Sequence, residues 1–118
     1  MAHTMPIIKH LDQQSFTEAL FNPEQQGQIA IIYFSASWCQ PCKNMQPIFE
    51  QLPLYLDSSA INFGIVDIAQ SPTLAPMYGI KSVPSIALFN DSRLVAIVAG
   101  EVSLQHAITK IRSALPID

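Results

Sequence analysis

Six apolar residues in unbroken succession, Ile29-Ala30-Ile31-Ile32-Tyr33-Phe34, lead straight toward the only two cysteines of the 118-residue chain. A run of that length, rich in β-branched side chains, suits a strand buried on both faces. Trp38-Cys39-Gln40-Pro41-Cys42-Lys43 follows almost at once. Beyond it Met45, Ile48, Phe49 and Leu52 recur at spacings of three, one and three, the apolar stripe of a helix. The segment therefore predicts a core strand that turns directly into a helix, with both cysteines at the turn. A helix N-terminus carries unpaired backbone N–H groups and a partial positive charge, and both stabilise a thiolate. A thiol placed there loses its proton more readily than a free cysteine of pKa about 8.5, which makes it a better nucleophile near neutral pH.

The rest of the chain arranges itself around that unit. Ile7-Ile8 predicts a short first strand. Ser15 to Phe21 predicts a helix through Phe16, Ala19 and Leu20, broken afterwards by Asn22-Pro23 and Gly27. The helix after the cysteines contains Pro47, which is expected to kink it, and Pro53, which is expected to bend or shorten its last turn near Leu54 to Asp57. Ile61 to Ile68 reads as a strand with Ile61, Phe63, Ile65 and Asp67 on one face. Asn62, Gly64, Val66 and Ile68 occupy the other. Pro72 opens a short helix through Tyr78, with Gly79 in the C-terminal glycine position. Ser85 to Phe89 and Leu94 to Ala99, joined by Asn90-Asp91-Ser92, predict a hairpin. Ser103 is a good N-cap for a last helix with Leu104, Ala107, Ile108, Ile111 and Leu115 on one face. The order β-α-β-α-β-α-β-β-α predicts an α/β fold, a central mixed β-sheet flanked by helices on both faces.

Composition narrows the function. With 49% hydrophobic and 13% charged residues, the chain can build a packed core and is not disordered. One domain over 1–118 is expected, its residues 1–5 a candidate disordered or added segment. The net charge is −3 and the six Lys and Arg are scattered, which argues against nucleic acid as a partner. No apolar run approaches the roughly 18 residues that span a bilayer, so no membrane association is expected. The N-terminus lacks a basic segment followed by an apolar one. A cytoplasmic protein is therefore expected, with a processed exported form as the alternative. Two cysteines make no disulfide framework, and a zinc site usually takes four ligands. His3, His10 and His106 are dispersed and receive no role. The pair is better suited to redox chemistry. Lys43 could lower the pKa of Cys39, or be simply a solvated helix lysine.

The motifs place the chain near a known family. Trp38-Cys39-x-Pro41-Cys42-Lys43, Pro47 in the following helix, Pro76, Tyr78-Gly79-Ile80, Val83-Pro84-Ser85 and Gly100 occur in the order found in thioredoxins. The chain resembles the thioredoxin family over nearly its whole length. That resemblance implies the thioredoxin fold and a protein-disulfide oxidoreductase that needs no bound cofactor. Cys39 would be the exposed nucleophile that attacks a substrate disulfide, and Cys42 would resolve the mixed disulfide. Pro41 would stiffen the small ring between them. Pro84 would follow a cis peptide bond, with Val83 offering backbone groups to an extended peptide. Trp38, Val83 and Gly100 would frame an apolar docking surface. Disulfide-containing proteins would be the substrates and a flavoprotein thioredoxin reductase the electron source, with the protein itself a monomer. The alternatives are an exported thiol–disulfide interchange protein and a non-catalytic thioredoxin-fold binding or co-chaperone module.

Two departures from the family pattern bear on mechanism. Thioredoxins usually bury an aspartate where this chain has Tyr33, and commonly place a lysine where it has Ile65. Losing both avoids the roughly 3–5 kcal/mol cost of one uncompensated buried charge. The family's aspartate is thought to help deprotonate the buried cysteine, so Cys42 is expected to resolve more slowly, or to use Tyr33, Asp67 or water. Asp67, near a strand end, could equally be a turn residue. Gln40 replaces the usual glycine between the cysteines, where it is expected to meet the substrate and to shift the redox poise, in a direction the sequence leaves open. Glu101, beside Gly100, could bias the charge of the substrate.

Overall fold

The computed structural model describes residues 8–20, 28–56 and 61–117. The strand β2 (Ile29–Ser35) is buried at each of its seven positions, because its edges and faces are all covered. It pairs in parallel with β3 (Ile61–Asp67), with Tyr33 opposite Ile65 and Ser35 opposite Asp67. On its other side it pairs antiparallel with β4 (Ser85–Asn90), with Phe34 opposite Ser85. The short strand β1 (Ile8–His10) lies outside β3, again parallel, and sets His10 opposite Ile65. At the far edge β5 (Arg93–Ala99) runs antiparallel to β4. The mixed sheet therefore has the order β1-β3-β2-β4-β5.

The period-two alternation of the strands sends side chains into two cores, one on each face of the sheet. Ile31, Tyr33, Phe63 and Ile65 pack against Met45, Phe49 and Leu52 of α2 (Gln40–Tyr55) and Ala107, Ile108 and Ile111 of α4 (Leu104–Ala114). Ala30, Ile32, Phe34 and Val66 pack against Phe16 and Leu20 of α1 (Gln13–Leu20) and Leu74 and Ala75 of α3 (Leu74–Met77). Tyr33 stacks on Phe49 with ring centroids 5.1 Å apart, which ties β2 to α2 directly below the cysteines. A register shift between Leu88 and Phe89 turns Leu94 toward the α1 core, while Ala96 and Val98 face α4.

Several boundaries differ from those expected, each for a local reason. The first helix begins at Gln13 rather than Ser15, because Asp12 and Ser15 cap it reciprocally. The Asp12 N–H donates to Ser15 Oγ at 2.9 Å and the Ser15 N–H to Asp12 Oδ1 at 2.8 Å. The first strand is centred on Lys9 rather than on Ile7-Ile8, since parallel pairing with β3 runs through His10. Pro72 precedes α3 instead of lying in it. The chain there is folded into turns, with the Gln70 and Ser71 N–H groups donating to the Asp67 carbonyl. Gly79, at φ +71°, follows the end of this helix. In the hairpin Asn90 belongs to β4, Arg93 to β5, and only Asp91-Ser92 turn, at φ +51° and +69°. Two positive values in succession mark the primed turn whose twist matches paired strands. Helix α2 holds both Pro47 and Pro53 and still runs to Tyr55. Ser103 caps α4 as expected, its Oγ accepting the His106 N–H at 3.1 Å. The expectations for residues 1–5, Ile7, Phe21, the breakers Asn22-Pro23 and Gly27, and Asp57 fall outside the described residues.

Candidate active site

The buried strand β2 ends at Ser35, and three residues later the chain enters α2. Cys39 is the N-cap of that helix, with φ −96° and ψ 111°, and its Sγ accepts the backbone N–H of Cys42 at 3.2 Å. A sulfur so placed occupies the position where serine or aspartate would normally satisfy a free N–H. Pro41 falls in the first turn, where its missing N–H costs nothing. Cys39 and Cys42 are joined by a disulfide with their Cα atoms 5.3 Å apart, so the site is in its oxidised form.

Exposure corrects one expectation. Cys39 is not openly exposed: only 6% of its surface is accessible, against 1% for Cys42. Ala36, Ile68 and Val83 pack around the pair. The Val83–Pro84 peptide bond is cis, and the Val83 carbonyl oxygen lies 3.8 Å from Cys39 Sγ. Gly100 approaches from β5, its N–H donating to the Pro84 carbonyl at 2.8 Å. Its φ of +87° suits glycine, although a Cβ there would meet nothing within 4 Å.

Two clefts flank the disulfide. One, of about 270 Å³, is mainly apolar and is lined by Trp38, Ile68, Pro76, Ile80 and Val83, with Lys81 among its polar groups. Trp38 is 70% exposed, so it is a surface feature of this cleft and not a packing residue. Gly100 is not part of that lining. The other cleft, of about 350 Å³, brings together His10, Ser35, Cys42, Lys43, Ile65 and Asp67. Lys43 thus lies on the Cys42 side of the pair. Asp67 accepts the Ala69 N–H at 2.8 Å, the turn contact anticipated for it.

Tyr33 is fully buried beneath the pair and its hydroxyl donates to the Cys42 carbonyl at 2.7 Å. Burial pushes its phenol above the ordinary value of 10.0, and a hydrogen bond with Ser35 partly offsets this. Gln40 is exposed at the start of α2. Glu101 accepts a long 3.5 Å contact from the Asn44 side-chain amide, which places it at the rim near α2. Ile68, Ile80, Ser35 and His10 were not singled out as site residues from sequence. The alternation that put Ile68 opposite Asp67 could have pointed to the first of them.

The thioredoxin family model matches residues 7–113. This chain belongs to the thioredoxin family. It is 35% identical to a thioredoxin of Buchnera aphidicola from Acyrthosiphon pisum over 96 residues, covering 81% of this chain and 85% of that one. Over 80 residues it is 38% identical to a Chlamydia caviae thioredoxin, covering 68% and 76%. The crystal structure of Malassezia sympodialis thioredoxin (Mala s 13) superposes with a TM-score of 0.79 at 22% identity, covering 96% of each chain, and shares the fold. With this family and its paired cysteines, the protein is a thiol–disulfide oxidoreductase acting on protein disulfides. No helix among the described residues is long and apolar enough to cross a membrane.

Proposed function

We propose that Cys39 is the attacking thiol and Cys42 the resolving one in a dithiol–disulfide cycle. In the reduced protein, the Cys39 thiolate attacks one sulfur of a substrate disulfide, forming a mixed disulfide and expelling the other sulfur as a thiolate. The Cys42 thiolate then attacks Cys39 Sγ, closing the Cys39–Cys42 bond and releasing the second substrate thiolate. Two electrons pass to the substrate, and both of its thiolates take protons from water.

The observation that carries this reading is the Cys42 N–H held 3.2 Å from Cys39 Sγ at the mouth of α2. That donor and the helix dipole favour the Cys39 anion, while Cys42 is buried one turn deeper. The mainly apolar cleft beside Trp38 and Val83 would seat an apolar stretch of the substrate next to the attacked sulfur. Pro84 and Gly100 would shape the neighbouring backbone, and Gln40 would meet the substrate at the rim. A monomer of one domain over 1–118, cytoplasmic and recharged by a flavoprotein thioredoxin reductase, fits this reading.

Insulin reduction driven by dithiothreitol tests it. Turnover is expected for the natural protein and background rate for Cys39→Ser, while Cys42→Ser should accumulate a mixed disulfide through Cys39. Equal turnover in Cys39→Ser, or trapping through Cys42, would overturn the assignment.

A further inference from the structure

The resolving step needs Cys42 to lose a proton at a buried position, and the hydroxyl beneath it is already committed. Tyr33 donates to the Cys42 carbonyl, and burial keeps its phenol protonated. The sheet register shows which other side chains share this end of the sheet face. His10 lies opposite Ile65, which lies opposite Tyr33, so these three form one row across β1, β3 and β2. Asp67 and Ser35 form the next row on the same face, under the first turn of α2. The cleft of about 350 Å³ runs over these rows, with Cys42 in its wall and the exposed His10 at its outer side. Water occupies roughly 30 Å³ per molecule in the liquid, so a cleft of this size holds several.

We propose that His10 is the relay that carries the Cys42 proton to solvent through water in this cleft, an inference that rests on the thiol–disulfide reading above. The Cys42 thiol gives its proton to cleft water and thence to the His10 imidazole. The thiolate attacks Cys39 Sγ, the bond to the substrate sulfur breaks, and the imidazolium returns its proton to bulk water. An imidazole is the side chain best matched to accepting and releasing a proton at neutral pH. The charged groups facing the cleft are Asp67 from β3 and Lys43 from α2. Asp67 is the weaker relay, since one of its oxygens already accepts the Ala69 N–H. His10 acts through water and is a positioning residue.

Stopped-flow reduction of 5,5′-dithiobis(2-nitrobenzoate) by the full chain separates the steps. The first chromophore leaves when Cys39 attacks, and the second leaves when Cys42 resolves. His10→Gln should leave the first phase unchanged. It should slow the second about three- to tenfold at neutral pH, less than the roughly 10²–10⁴ of a base in direct contact. The second phase should also lose its near-neutral inflection, a change in pH profile that loss of packing would not produce. A second phase and pH profile matching those of the natural protein would overturn the proposal. So would loss of the inflection in Asp67→Asn with His10→Gln unaffected. Absence of any second phase in the natural protein would instead refute the resolving role of Cys42.

Discussion

The Tyr33 hydroxyl donates a 2.7 Å hydrogen bond to the carbonyl oxygen of Cys42, so the bottom of the site is held by a neutral phenol pinned to helix backbone. This contact positions the buried cysteine by fixing the first turn of α2 to β2, and Phe49 stacks against the same ring.

Removing that hydroxyl should therefore cost stability without abolishing chemistry. Tyr33→Phe keeps the stacked ring and is expected to lose about 1 kcal/mol, the net worth of a typical hydrogen bond, measurable by urea denaturation. The resolving phase should persist. The alkaline limb should change as well. Burial raises the folded phenol above the unfolded value of 10.0, so the unfolded chain ionises first. Stability is intact below that value and falls as pH climbs toward the folded one. Tyr33→Phe should make that fall shallower, leaving the contribution of Tyr78, which burial raises in the same direction.

Trp38 should matter to substrate and hardly at all to folding. It is 70% exposed at the edge of the apolar cleft. Trp38→Ala is expected to raise KM for insulin about three- to tenfold, the effect of losing roughly 0.7–1.4 kcal/mol of contact. Its denaturation midpoint should stay close to that of the natural protein, since a surface change away from packing is worth about 0.5 kcal/mol or less.

At Gly100 the constraint is conformational. A Cβ there would meet nothing within 4 Å, yet φ is +87°. Gly100→Ala should therefore cost about 1–2 kcal/mol in backbone strain. Activity should fall too, because the Gly100 N–H is bonded to the Pro84 carbonyl beside the disulfide. Thermal melting and insulin reduction measured on the same variant would check both.

The start of α1 gives an acid-side prediction. Hydrogen bonds from the Ser15 backbone N–H and hydroxyl hold the Asp12 carboxyl below its ordinary 3.8. Its contribution is complete above the unfolded value and disappears as pH falls through the lower, folded one. Asp12→Ala should thus melt earlier than the natural protein at neutral pH. The gap should close once both folded and unfolded carboxyls are protonated. A gap independent of pH would assign the effect to helix propensity instead.

Much of this molecule was legible in its residues because the strong signals are local. The apolar run at 29–34 announced the middle strand, and the alternation from Ile61 placed Ile65 and Val66 on opposite faces. Ser103, Pro41 and Gly79 act through backbone conformations that their chemistry dictates. The capping pair Asp12 and Ser15 escaped because either residue alone reads as a helix start, and only the reciprocal bonds show which one is outside. His10 escaped for a different reason. Its place in the cleft that Cys42 lines depends on how β1 registers on β3, a long-range pairing that no spacing within either segment encodes. The low exposure of Cys39 follows from the Val83–Pro84 segment folding over it, another contact between distant parts of the chain.

The edge position of β1 has a consequence for how the polypeptide is made. Its strand partner is β3, with Ile8 meeting Phe63 and His10 meeting Ile65, so β1 has no strand to pair with until β3 has left the ribosome. Translation thus delivers Cys39 and Cys42 before His10 can take its place on β3 and complete the cleft that Cys42 lines. A nascent chain halted between α2 and β3 would carry both thiols with the β1 wall of that cleft still unbuilt.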